Sequence, residues 1–433
     1  MKTEEKATNT KKKSKGKKAL KVLCVLLAVI VAAAGVCAVL SITGNKANTE
    51  KISAFGKVEK EDRIIPEKDE DGNWTFTTDR DFKVMQLTDI HIGGGFLSAK
   101  KDSMAINAVA AMVKAEEPDL IVVTGDVSYP VPFQAGTFNN LSSAKVFASL
   151  MEQLGVYWTL GFGNHDTEAY SYYSREDISD FYSREDFEYC IFEKGPKDVD
   201  GYGNQIINVK NTDGIVTQSL FVFDSHSYVD GDILGIMWKY DNIHENQVVW
   251  YEESLKKINA KNAELAKEKG IELTRTVKSS AFFHIPLEEQ KDAWYEYADN
   301  GFADTENAKL HYGTAGEGKK VVYCGIGEDG LFEKMLELGS TQAVFCGHDH
   351  YNNFSLEYKG IRLTYGMSVD YLAYPGIYKE GSQRGCTLIT FSPDGSFDCA
   401  AENYYQDKYQ SVYEKEVVIM QTVNPVEIAE EYK

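Results

Sequence analysis

Short apolar runs rich in β-branched and aromatic residues recur through the middle of the chain, and a polar loop cuts off each one. Residues 84–87, 120–123, 156–160, 281–283 and 343–346 are too short for helices and read as buried strands. Between them the spacing changes to the helical period, with a helix predicted over 103–115 and a long amphipathic one over 244–269, closed by Gly270. Strand, loop and helix thus alternate in the α/β manner. Residues 74–77 and 82–87, parted by Thr78, Asp79, Arg80 and Asp81, predict a hairpin leading into the first core strand. Further hairpins are predicted at 354–365, around Lys359-Gly360, and at 386–400, around Pro393-Asp394-Gly395. The near copies Tyr173-Ser-Arg-Glu-Asp177 and Tyr182-Ser-Arg-Glu-Asp186 predict two short capped helices.

The amino-terminal pattern is different in kind. From Val22 to Ile42 no residue is charged, and 21 helical residues cover roughly 30 Å, the thickness of a bilayer's hydrocarbon. Nine lysines against Glu4 and Glu5 give the first 21 residues a charge of +7. This flank predicts a basic cytoplasmic tail (1–21), a single transmembrane anchor (22–42) and the remainder of the chain outside the membrane, at a bacterial-type cell surface. The alternative is a cleaved signal peptide, for which the apolar run is long and the small-x-small cleavage pattern poor. A polar stalk is expected over 43–72, a globular domain over 73–405, and a tail or terminal strand over 406–433.

With a total of −20, the rest of the chain carries −27, and an acidic exterior of that size makes nucleic acid a poor partner while leaving small phosphorylated molecules open. Seven cysteines, five of them beyond the anchor at scattered spacings, do not form a disulfide framework.

Candidate chemistry collects where the predicted strands end. Asp89-Ile-His91, Gly125-Asp126, Gly163-Asn164-His165-Asp166, His284 and Gly347-His348-Asp-His350 each follow or end an apolar run, at the strand edge where open α/β sheets place their sites. Residues two apart in extended chain point to one side, so Asp89 with His91 and His348 with His350 can converge. Glycines at 125, 163 and 347 allow close backbone approach. Five of the eight histidines fall in these motifs, and carboxylate, imidazole and amide donors without cysteine suit Mn, Fe or Zn ions. Tyr170, Tyr172 and Tyr173 are candidates for the pocket wall or for ordinary packing; His226 and His244 read as packing residues, and His311 as surface.

In this order the motifs resemble the calcineurin-like metallophosphoesterases, over roughly residues 83–370. Phe282-Phe-His-Ile-Pro-Leu287, Phe223-Asp-Ser-His226 and Gly327-Glu-Asp-Gly330 resemble the subgroup related to purple acid phosphatases. The resemblance implies a four-layer α/β/β/α sandwich of two mixed sheets. It also implies two divalent metal ions, one on Asp89, His91, Asp126 and His350, the other on Asp126, Asn164, His284 and His348, with Asp126 bridging. The implied activity is hydrolysis of a phosphate ester, a monoester by preference, through in-line attack by a metal-bound hydroxide. His165 would protonate the leaving alkoxide, with Asp166 orienting its ring. A phosphodiesterase acting on nucleotides, lipid headgroups or envelope polymers, and an inactive surface binding protein, are the alternatives. Purple acid phosphatases carry Asp-x-Gly where this chain has Asp89-Ile-His91, and a metal-binding tyrosine three residues after the bridging aspartate. Tyr129 has that spacing and is expected to be wall rather than ligand, because His91 fills the position.

Overall fold

A computed structural model describes residues 2–432 except 274, 328, 375, 376, 378–382 and 420–422, with side chains from Lys17 onward. Glu328, in one of the motifs above, and the side chains of the first lysines lie outside the described residues.

The chain opens with α1 (Lys2–Ile52), followed by β1 (Glu67–Lys68), β2 (Trp74–Thr77), β3 (Phe82–Leu87), α2 (Ala99–Glu116), β4 (Leu120–Thr124), α3 (Asn140–Leu154) and β5 (Tyr157–Gly161). Next come α4 (Arg175–Tyr182), β6 (Gln205–Lys210), β7 (Val216–Val222), α5 (Glu245–Lys269), β8 (Lys278–Phe282), α6 (Glu288–Asp299) and β9 (Ala308–Tyr312). The last elements are α7 (Leu331–Leu338), β10 (Thr341–Cys346), β11 (Ser355–Tyr358), β12 (Ile361–Tyr365), β13 (Gly385–Phe391) and β14 (Phe397–Asn403).

The strands form two mixed sheets, a nine-stranded one in the order β1-β2-β6-β7-β8-β10-β12-β11-β9 and a five-stranded one in the order β14-β13-β3-β4-β5. Both are buried on two faces, which is why their central strands are continuous apolar runs rather than alternating ones. Phe76, Val84, Val122, Val222, Phe282, Phe345 and Ile389 fill the layer between the sheets. A second layer packs α1 to α4 on the five-stranded sheet, and a third packs α5 to α7 on the nine-stranded sheet, giving the α/β/β/α order.

Three local expectations give way to tertiary structure. The hairpin predicted over 74–87 does not form: β2 pairs with β6 in one sheet and β3 with β4 and β13 in the other. The intervening turn crosses between layers, because Phe76 and Phe82 meet in the inter-sheet core, ring centroids 4.9 Å apart and the rings tilted by 53°. Of the repeated pair, the first copy becomes α4, with a capping box between Ser174 and Asp177, whereas in the second Arg184 closes on Asp186 and the segment turns. Residues 43–72 are not a free stalk: α1 runs on to Ile52, and Ile52, Phe55 and Val58 are buried against α2 and α3. The carboxyl-terminal segment forms no strand among the described residues, but Tyr404, Tyr409 and Ile428 are buried and Tyr413 N–H donates to Asn107.

Candidate metal centre

Five strand ends from two sheets supply the site. β3, β4 and β5 deliver Asp89, Asp126 and Asn164 just beyond their carboxyl ends, and β8 and β10 deliver His284 and His348 from the facing sheet. Because the sheets pack face to face, residues separated by about 260 positions become neighbours, such as His348, whose N–H donates to the Asp89 carboxylate at 3.1 Å. The loops must turn at once to present these side chains inward. Asp89, His91, Asp126 and His348 all take the left-handed backbone conformation (φ 48°, 53°, 53° and 77°), which non-glycine residues adopt at a cost and which concentrates at functional sites. Gly163 and Gly347 are needed for room: a Cβ at Gly163 would sit 2.1 Å from Asp126 Oδ1, and one at Gly347 1.9 Å from Thr88 Oγ1.

Asp126 lies at the middle. Its Oδ2 is 3.1 Å from His91 Nε2 on one side and 3.2 Å from His284 Nε2 on the other. On the first side, the donor atoms of Asp89, His91, Asp126 and His350 all lie within 4.8 Å of one another, and all four residues are buried. On the second, Asn164 Oδ1 stands 3.1 Å from His284 Nε2, and the His348 ring lies edge-on to the His284 ring at 5.2 Å. His284 Nδ1–H donates to the Thr124 carbonyl at 2.8 Å, which leaves Nε2 as the nitrogen facing the centre.

The electrostatics of this cluster call for cations. Asp126 is held well below the usual carboxylate range: burial opposes its charge, but the facing His284 and His165 outweigh it. Burial lowers His284, yet the Asp126 carboxylate lifts it to about 9, and Asp89 with Asp370 likewise raises His350. His348 is pushed well down by burial and by its neighbour His284. Buried carboxylates thus favour positive charge at His284 and His350, and a set of oxygen and nitrogen donors with this surplus of buried carboxylate fits divalent ions. The residues present therefore fit divalent metal, with Asp126 standing between the two halves.

Residues that local sequence did not single out complete the centre. Asp370 stands behind both imidazoles of the first half, Oδ2 at 3.2 Å from His350 Nδ1 and Oδ1 at 3.5 Å from His91 Nδ1. Glu168 holds His165: Nδ1–H donates to Oε1 at 2.7 Å. The Tyr228 hydroxyl donates to the same oxygen at 3.0 Å and accepts from Asn164 Nδ2 at 2.9 Å. Burial and the Glu168 charge keep that hydroxyl protonated. Asp166, expected to orient His165, does something else. Its carboxylate accepts the backbone N–H groups of Gly163 (2.8 Å), Asp126 (3.0 Å) and Ser128 (2.8 Å), and so clamps the two loops that carry Asp126 and Asn164. A side chain in the turn after Asn164 reaches those amides more easily than it could reach back to its neighbour's ring.

Tyr129 stacks on His91 at 4.7 Å and its hydroxyl donates to Gln134, so it walls the site. Arg175, in the first repeat copy, donates to the Gly163 carbonyl and pairs with buried Asp224, a role the capped-helix expectation did not foresee. His226 donates to Gln247 and stacks on His244, the residue that precedes α5, at 3.9 Å and 18°. Although Asp241 lies close enough to complete a donor triad, near-parallel stacked rings direct their lone pairs along planes that do not meet at one ion. His311 is exposed, and Tyr172 lies over Phe138 at the rim.

The model of the family described as "Calcineurin-like phosphoesterase" matches residues 82–352. The chain is 26% identical to "Probable inactive purple acid phosphatase 28" of Arabidopsis thaliana over 321 residues, 69% of this chain and 73% of that one. It is 27% identical to "Phosphatase DCR2" of Saccharomyces cerevisiae over 308 residues, 65% of this chain and 46% of that one. Among solved structures, a dimetal phosphatase from Danio rerio aligns with 76% of this chain and 98% of its own at 11% identity, with a TM-score of 0.47.

Proposed function

The chain belongs to the calcineurin-like phosphoesterase family, metal-dependent phosphoric ester hydrolases, and on that premise we propose that it hydrolyses a phosphate monoester with two divalent ions at the outer face of a membrane. The observation that carries this reading is the position of Asp126, one carboxylate oxygen between His91 Nε2 and His284 Nε2. Asp89, His91, Asp126 and His350 would hold one ion, and Asp126, Asn164, His284 and His348 the other. Bound ions would supply Lewis acidity toward phosphoryl oxygens and an activated water. The residues themselves do the rest. Glu168 accepts the Nδ1–H of His165, so Nε2 is the nitrogen from which the doubly protonated ring would give a proton to the departing alkoxide. His165 is partly open, its side chain 27% exposed, as a residue that must meet substrate has to be. Asp166 keeps the loops that carry Asp126 and Asn164 in place through three backbone amides.

Among the described residues one helix, within Lys17–Ile52, is long and apolar enough to cross a bilayer. With lysines before it, its retention as an anchor would place the catalytic domain outside the cell membrane. The test is metal analysis of the purified protein with parallel assays on phosphomonoesters and phosphodiesters under Mn²⁺, Fe²⁺ and Zn²⁺. Hydrolysis that disappears in Asp126→Asn supports the two-metal reading and selects the ester class. A metal-loaded protein inert on every substrate would make it a binding protein, in keeping with the word "inactive" in the Arabidopsis relative's name.

A further inference from the structure

The direction in which α1 meets the domain decides where the site points. Asn45 Nδ2 donates to the Gly94 carbonyl at 2.8 Å, Asn48 Nδ2 to the Ala99 carbonyl at 3.1 Å, and Lys51 Nζ to Ser103 Oγ at 2.7 Å. Residue numbers rise together on both sides, so the end of α1 runs parallel to α2. Because α2 begins at the loop leaving β3, its first turn lies at the carboxyl edge of the sheet, the edge that carries the metal centre. The apolar stretch 22–42 therefore continues past that edge and away from the body of the domain. Distances are short: Ile42 is about 4.5 Å of helix rise from Asn45, and Gly94 is at most roughly 11 Å along the chain from His91.

The same edge displays apolar side chains on both flanks of the centre. Beside the His91 half, Leu97 and Phe133 are exposed, Phe133 to 92%, on loops joined by the bond from Leu97 N–H to the Ala135 carbonyl. Beside the His348 half, the loop 229–239 exposes Ile233, Leu234, Ile236, Met237 and Trp238, Ile236 to 74%. This loop is built to show them. Buried Asp232 accepts the N–H groups of Met237 and Lys239 at 3.2 and 3.0 Å, and the loop's base is the bridge between Tyr228 and Tyr240, whose ring meets His348 at 4.2 Å. Leucine, isoleucine and methionine beside tryptophan and phenylalanine are the composition that settles into the interfacial layer of a bilayer.

From this geometry we infer that the catalytic edge faces the membrane that holds α1, that the 229–239 loop and Phe133 dip into its interface, and that the substrate is a phosphate monoester carried by a membrane lipid. The inference rests on the hydrolase and anchor reading above and names its substrate class. Water adds to phosphorus, the bond to the lipid oxygen breaks, that oxygen takes a proton from His165, and inorganic phosphate leaves with the lipid alcohol staying in the bilayer. A helix packed along α2, rather than a flexible leash, would hold the mouth at the headgroup layer.

The experiment uses the full chain in phosphatidylcholine vesicles. Insertion is read from tryptophan emission with brominated acyl chains present, comparing the parent with Trp238→Phe; a bromine-quenched component present in the parent and lost in the variant is expected. Activity is read with Mn²⁺ on phosphatidate in the vesicles and on soluble glycerol 3-phosphate. The double variant Ile236→Ser with Met237→Ser should release phosphate from phosphatidate at least fivefold more slowly, with glycerol 3-phosphate turnover within twofold of the parent. Equal quenching in parent and Trp238→Phe, or turnover of glycerol 3-phosphate with phosphatidate untouched, overturns the inference. Insertion with neither phosphate released also removes the lipid substrate, but there the failure lies in the hydrolase reading and not in the orientation of the site.

Discussion

Replacing Glu168 by glutamine removes one charge and almost no volume from a buried position whose Oε1 accepts both the His165 ring N–H at 2.7 Å and the Tyr228 hydroxyl at 3.0 Å. Glutamine can still present an oxygen, so the fold and the tyrosine contact survive; what is lost is the charged acceptor behind a ring that must become and remain a proton donor. Hydrogen bonds to charged groups contribute about 1.5–3 kcal/mol, and at roughly 1.4 kcal/mol per decade that corresponds to about a 10- to 100-fold fall in kcat. This stays below the roughly 10²- to 10⁴-fold expected for deleting the general acid itself by His165→Ala. The effect must depend on the leaving group. An alkoxide needs the proton, whereas a nitrophenolate leaves nearly as well without it, so Glu168→Gln should slow an alkyl phosphate by the full factor and p-nitrophenyl phosphate by threefold or less. The assay is steady-state kinetics on both substrates, with metal content measured in parallel. An equal fall on both, or metal loss matching the rate loss, would show that Glu168 supports the centre's structure and not the proton transfer.

Other consequences of the structure are open to direct measurement. Asp370→Asn removes the carboxylate behind His91 and His350, and titration with Mn²⁺ or Zn²⁺ should show about 10- to 100-fold weaker binding at one of the two sites; unchanged affinity would deny it that role. Buried Asp119, paired with Arg80 and Lys60, is depressed below its ordinary 3.8, because those cations outweigh the burial that opposes its charge. A depressed acid stabilises the fold above its unfolded pKa and loses that contribution as pH falls through the folded value, so the parent's melting temperature should fall more steeply below about pH 4 than that of Asp119→Asn; parallel curves would contradict this. Phe345, fully buried between the sheets and stacked on Phe282 at 4.9 Å, should lose about 3–5 kcal/mol on substitution by alanine, read from urea denaturation. Because all seven cysteines are free thiols, a reducing agent should leave the melting temperature unchanged.

Much of this molecule was legible without coordinates because the relevant signals are local. An apolar run ended by Asp-x-His or Gly-His-x-His announces both a buried strand and what its end carries, and the five runs became β3, β4, β5, β8 and β10 with the motif residues just past them. The covalent spacing of Asp89 and His91, or of His348 and His350, belongs to the chain itself. Strand partners do not: Phe76 and Phe82 look like the two arms of a hairpin, and only the demand for a common inter-sheet core sends them to different sheets. The supports of the centre are equally nonlocal. Asp370 and Tyr228 carry no motif, and they matter because loops far apart in sequence close over the same imidazoles and amide. Glu168 was near the motif, but which acid would reach the His165 ring depended on Asp166 being taken by three backbone amides. The apolar segment, too, declared itself by length and charge, whereas the direction in which it leaves the catalytic edge was decided by how α1 packs along α2, since no local pattern encodes the relative direction of two helices.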